Sequence, residues 1–174
     1  MNFTKKIFTF IIIGFLVHIS FVYYFPYFKV WMISQNSEAT NSVNVAFYRN
    51  IPTANSRDVI RPSPDLMYSG CGYDVTYDPL VINTDIPNSY WSVSFFSDNS
   101  DNFTTINNDQ ISEGNMTIYL FGPDSKPSQI SNGYVVVSPS NRGLMLIRQF
   151  IGNSSNLDEL YEIQSSLDCK TLGS

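Results

Sequence analysis

Tyr90-Trp91-Ser92-Val93-Ser94-Phe95-Phe96 decides how the rest of this chain is read. Trp91, Val93 and Phe95 alternate with Ser92 and Ser94, a period of two that a strand turns into one apolar and one polar face. Met116, Ile118 and Leu120 repeat the pattern further on. Gly133-Tyr134-Val135-Val136-Val137-Ser138 and Gly143-Leu144-Met145-Leu146-Ile147-Arg148 are short, nearly continuous apolar runs. Strands buried on both sides have that form, so both runs are expected in the middle of a sheet. Clusters of Asn, Asp, Gly and Pro interrupt these segments every ten to fifteen residues or so, the spacing of a sandwich or barrel.

Two other periodicities break this strand-rich body. Near the C-terminus, Asn156 precedes Leu157, Leu160, Tyr161, Gln164 and Leu167, a stripe at helical spacing, with Glu159 placed three residues after the cap. One helix is expected there, its acidic Asp158 and Glu159 complementing the helix dipole rather than carrying chemistry. A short helical turn around Val43 to Tyr48 is the weaker second expectation. Asp98 to Asp109 places oxygen side chains at alternate positions but lacks the turn glycine and closing glutamate of a calcium loop, so it reads as a polar hairpin.

The N-terminus is of another kind. Ile7 to Phe28 reads IFTFIIIGFLVHISFVYYFPYF, without a charge, and at about 1.5 Å per residue would span roughly 33 Å, a bilayer core. Lys5 and Lys6 precede the run and set its N-terminus inside. Tyr23, Tyr24, Tyr27 and Trp31 follow like an interfacial aromatic belt, where a cleaved signal would need a small-x-small site. The expected organisation is a cytoplasmic tip and transmembrane anchor over 1–32, a Ser/Asn/Thr-rich tether over 33–44 and an extracytoplasmic β-domain over 45–174. The anchor lies in the inner, cytoplasmic membrane, and the domain in a periplasm or outside.

Composition narrows the chemistry. The 174 residues are 43% hydrophobic and 15% aromatic but only 14% charged, with a formal charge of -5, so nothing argues electrostatically for nucleic acid. Beyond Lys29 seven basic residues face fifteen acidic ones. His18 is the only histidine and lies in the apolar segment, which leaves the outer domain unable to build a Ser-His-Asp triad, a Cys-His dyad or a histidine-ligated zinc site. No catalytic residue, metal site or cofactor is assigned, and the enzyme question leans to no. Cys71 and Cys169, 98 positions apart, are either a disulfide in an oxidising compartment or two buried thiols.

Arg57-Asp58-Val59-Ile60-Arg61-Pro62-Ser63-Pro64-Asp65-Leu66-Met67-Tyr68-Ser69 resembles the signature of the family called domain of unknown function 1254, V-x-R/T-P-N-x-D-T-L-Y-S. Asp78 to Ile82, Tyr90 to Val93, Asp101 to Phe103, Phe121 to Pro123 and Ser138 to Arg148 resemble its later blocks in the same order. Ser63 and Leu66 depart from the family's Asn and Thr. The resemblance spans about residues 48 to 168 and implies a mainly β, jelly-roll-like sandwich. It also implies association with a companion domain of unknown function 1214, either fused or in a companion small membrane protein, and no established reaction.

The expected function is therefore a membrane-anchored module that binds a partner protein of the cell envelope, the companion domain or a further copy of itself. The alternative is a site for a small anion or carboxylate, with or without weak hydrolytic activity. Arg61 and Asp65 would form a charge-assisted pair there, Tyr68 would donate, and Arg142 or Arg148 would add a second cation. The competing reading makes Arg61 and Asp65 a buried strut.

Overall fold

The alternation from Tyr90 to Phe96 becomes a strand at the heart of the molecule. The computed structural model describes residues 3–35, 43–56, 62–111, 114–125, 127, 130, 132–152 and 157–173. In chain order the elements are α1 (Phe3–Gln35), β1 (Ala46–Tyr48), β2 (Leu66–Asp74), β3 (Leu80–Asp85), β4 (Trp91–Ser97), β5 (Asn102–Asn107), β6 (Asn115–Phe121), β7 (Tyr134–Val137), β8 (Arg142–Phe150), α2 (Leu157–Ser165) and β9 (Asp168–Thr171). The fold is mostly β in two sheets, with a C-terminal helix and a long apolar N-terminal helix.

One sheet has the order β1-β2-β8-β4-β5 and the other β7-β6-β3-β9. Every pairing is antiparallel except β6 with β7, a parallel pair that an all-antiparallel jelly roll does not contain. The sheets share one core, to which the first contributes Cys71, Tyr73, Trp91, Val93, Phe95, Met145 and Ile147. Leu80, Ile82, Met116, Ile118, Leu120 and Val136 face them from the second. Fully burying side chains of this size contributes about 1.5–3 kcal/mol each.

Three expectations change. Gly143–Arg148 does form a central strand, β8, but Tyr134–Val137 is the outermost strand of its sheet, because β6 flanks it on one side only. The helical turn around Val43–Tyr48 is replaced from Ala46 by β1, whose residues pair with Ser69, Gly70 and Cys71. The helix continues through Gln35, into the segment read as tether, whose residues 36–42 lie outside the described ones.

The serine face of β4 is also buried, Ser92 and Ser94 included. They lie on the outer face of the five-stranded sheet, against which α1 packs through β2 and β8 with Val30 buried. Phe3–Met32 is long and apolar enough to cross a membrane. At the other end α2 begins at Leu157 and buries Leu160 and Gln164, and the predicted cap Asn156 lies outside the described residues. Asp98 to Asp101 make the β4–β5 turn, with Ser100 at φ 71°, Ser97 N–H bonding the Asp101 carbonyl at 2.9 Å and a bulge between Phe95 and Phe96.

Candidate functional site

The residues proposed for a ligand site fall into two groups. Tyr68 and Arg148 are cross-strand neighbours on the outer face of β2 and β8, and Ser92 of β4 lies beside Arg148 in the same row. The Tyr68 hydroxyl accepts the Ser63 N–H at 3.0 Å, closing the turn between Pro62 and Pro64. Asp65 is exposed in that turn; its carbonyl accepts the Ile151 N–H at 2.9 Å. Arg61 lies outside the described residues, so the Arg61–Asp65 pair does too.

Arg142 lies at the far end of β8, six strand residues and therefore about 20 Å from Arg148. It is held there by Asp74, Nε to Oδ2 at 2.7 Å. Burial alone would raise the Asp74 carboxyl, but bonds from the Thr76 side chain and backbone and from Arg142 outweigh it and leave it below the usual value. The pair is a partly exposed strut at the β2–β8 end.

The same end holds a polar cluster that sequence reasoning missed. The Tyr73 hydroxyl lies 3.0 Å from the Phe96 carbonyl and 2.9 Å from Ser138 Oγ. Ser138 Oγ reaches the Ser140 carbonyl at 2.7 Å, and Ser140 Oγ accepts the Asp98 N–H at 3.1 Å while donating to the Arg142 carbonyl at 2.7 Å. The ring fits because residue 143 is glycine: a Cβ there would meet the Tyr73 hydroxyl at 2.3 Å and the Phe96 carbonyl at 2.2 Å. Burial pushes the Tyr73 pKa up to about 12. A neutral phenol and a serine whose acceptors are carbonyls provide no general base, so the cluster is a latch rather than a nucleophile. The blocks Ser138-Pro139-Ser140 and Arg142-Gly143 hinted at it, but Tyr73 is 65 positions from Ser138.

The C-terminal segment is stitched across the sheets. Cys71 of β2 and Cys169 of β9 are joined by a disulfide, with Cα atoms 6.8 Å apart. Gln164 Nε2 donates to the carbonyls of Arg49 and Tyr68 at 3.0 and 2.9 Å, and Tyr48 donates to the Leu167 carbonyl at 2.7 Å. Burial first, then the nearby Asp168 charge, raises the Tyr48 pKa.

The four sheet edges differ. β1 has three residues, β5 is Asn-Phe-Thr-Thr-Ile-Asn opposite a bulge, and β9 carries Asp168 and Lys170. β7 is Tyr-Val-Val-Val, uncharged, with Tyr134, Val135 and Val137 exposed at 41%, 43% and 45%. A groove of about 470 Å³ runs between α1 and the β4–β5 turn, lined by His18, Tyr23, Tyr27 and Asn99 among others. Among the described residues no three His, Cys, Asp or Glu side chains gather as metal ligands.

A family model described as a protein of unknown function (DUF1254) matches residues 43–171. No curated protein matches the chain. Four chains of solved structure match. One is the VPA0106 protein from Vibrio parahaemolyticus, at 12% identity and a TM-score of 0.66, over 88% of this chain and 37% of that one. Another is an uncharacterised protein from Burkholderia cenocepacia, at 14% identity and a TM-score of 0.55, over 88% and 41%. The chain thus spans about two fifths of the length of these solved proteins, and at such identity the likeness is one of fold.

Proposed function

The chain belongs to the DUF1254 family of proteins of unknown function, and from that premise we propose that it is a membrane-anchored, extracytoplasmic module that binds a partner protein of the cell envelope. The observation that carries this reading is the β7 edge. Unpaired strand backbone is a template for another strand, and folded proteins usually blunt it with charge, Pro, bulges or shortness. β1 has only three residues, β5 meets a bulge and β9 is charged, whereas β7, four residues long like β9, carries no charge, Pro or bulge. Strand addition there would draw affinity from main-chain hydrogen bonds and specificity from side chains such as Val135 and Val137.

Location is supported by two further features. Lys5 and Lys6 ahead of the apolar helix favour a cytoplasmic N-terminus, and with it an extracytoplasmic domain anchored in an inner membrane. The Cys71–Cys169 disulfide suits an oxidising compartment such as a periplasm. The partner we favour is the companion small membrane protein with a domain of unknown function 1214, and a second copy of this chain is the competitor.

The test is a native mass spectrum of the full-length protein drawn from its own membranes in mild detergent. A second protein at fixed stoichiometry is expected; a monomer without a protein partner defeats the proposal. The alternative, a small anion or carboxylate, is favoured only by the row of Tyr68, Arg148 and Ser92, the last with its buried hydroxyl unpartnered. An intact mass raised by a non-protein ligand, and lost in Arg148→Ala, would support it.

A further inference from the structure

The core end of β4 and β8 holds two polar atoms whose hydrogen-bonding capacity the protein does not use. Trp91 Nε1 carries a donor and Gln149 Oε1 an acceptor; both atoms are buried and neither has a partner. Their residues are 1% and 2% exposed, so neither group reaches bulk solvent. Leaving such a group unpaired costs about 1–3 kcal/mol, which makes two of them side by side a demand the fold must answer.

Register places them together. Trp91 and Gln149 are direct cross-strand partners, and both point to the core, because their strand neighbours Val93 and Ile147 do. Side chains so paired start from Cβ atoms about 4.5–5.5 Å apart. On its other side Gln149 is paired with Met67, whose thioether is only a weak acceptor. The third unpartnered atom, Ser92 Oγ, belongs to the opposite face and cannot contribute.

We propose that Trp91 and Gln149 form a closed binding site for one water molecule, which accepts the indole N–H and donates to the amide oxygen. Donor and acceptor are the two complementary halves of what a water needs, and buried waters bridge such groups with two to four bonds or so. The burial of both residues keeps them from exchanging freely with bulk solvent. The site would make the β4–β8 end a wet joint, at the opposite end of β8 from the Tyr73–Ser138 cluster.

The experiment uses the full chain in detergent, labelled with nitrogen-15. It contains two tryptophans, Trp31 and Trp91, so Trp31→Phe leaves a single indole signal to follow. The Trp91 indole proton is expected to exchange slowly yet show a cross-peak to water with the sign of a long-lived bound molecule. Absence of that cross-peak overturns the site. Gln149→Met keeps length and removes the acceptor, and should weaken the cross-peak several-fold; an unchanged cross-peak in a folded variant also overturns it. Should Gln149→Met fail to fold, the Trp31→Phe measurement alone decides, since it leaves Trp91 and Gln149 intact.

Discussion

The two edges of the four-stranded sheet are built on opposite rules. β9 is four residues long, carries Asp168 and Lys170 joined at 2.6 Å, and is fastened to the other sheet through Cys169. β7 is equally short, but has no charge, pairs in parallel with β6 alone and turns Val135 and Val137 outward. The row across the sheet makes the gradient explicit, because Lys170, Val81, Tyr119 and Val135 are successive cross-strand neighbours. One edge carries an ion pair and a covalent tie to the other sheet, and its opposite carries neither. An uncharged edge is an aggregation hazard unless something covers it, and that is what a partner would do.

The strongest way to break the comparison is to give β7 the chemistry of β9. In Val135→Lys/Val137→Lys, partner protein recovered with the full-length chain should fall at least tenfold in a quantitative pull-down. Both positions are exposed, so the unfolding free energy read from urea titration should change by only about 0.5 kcal/mol per site. Retained partner with unchanged stability would show that docking occurs elsewhere. The converse change opens β9: Cys169→Ala removes a bridge closing 98 residues and should cost up to about 4.7 kcal/mol in chain-entropy terms, read from urea unfolding without reductant. Hydrogen exchange at β9 should then approach that of β7.

This asymmetry marks where the sequence stops being legible. β4 could be read because Trp91, Val93 and Phe95 alternate with serines, a pattern no helix tolerates. Tyr134 to Val137 could not be placed, because a valine run has no polar residue to report which flank is open, and centre and edge look alike. The serines of β4 mark a polar face by their period, but that period does not report that Ser92 and Ser94 are both 2% exposed. A packed helix removes water from a polar face without leaving a period of its own. Among the site residues, Arg142 and Arg148 are both candidates for a second cation; they share a face by parity but stand towards opposite ends of β8. Tyr73 belongs to the five-stranded sheet and Ser138 follows β7 of the four-stranded one, so they meet only where the two sheets pack face to face, which no local pattern reports.

The end of β7 is held by that Tyr73–Ser138 contact and by the Ser138 N–H to the Phe121 carbonyl at 2.8 Å, so Tyr73 tests how β7 is kept in place. Tyr73→Phe should cost about 1–2 kcal/mol near neutral pH, the loss of one buried hydrogen bond with a serine left behind. Its folded pKa, raised to about 12, lies above the unfolded tyrosine value near 10. Tyr73's contribution is therefore complete below about pH 10 and is lost as pH rises through 12, roughly 2–3 kcal/mol in all. The phenylalanine variant should lack that share of the alkaline decline, and exchange should quicken at β7 before β9. Identical alkaline profiles would mean that the hydroxyl is not held as described.

The smallest effect discriminates charge from staple at the guarded edge. Lys170→Ala removes the partner of Asp168, and both side chains are well exposed, so stability should change by less than about 1 kcal/mol. What should change is behaviour at high protein concentration, where light scattering would report new association if the ammonium group keeps β9 apart from other strands. With the disulfide intact, Cys169 still fixes the backbone of β9 beside β3, so the edge would be uncharged but rigid. Association of Lys170→Ala would assign the guarding to charge. Its absence, followed by association only after Cys169→Ala is added, would assign it to the staple, and β7 would then owe its openness to the lack of a covalent tie rather than to its valines.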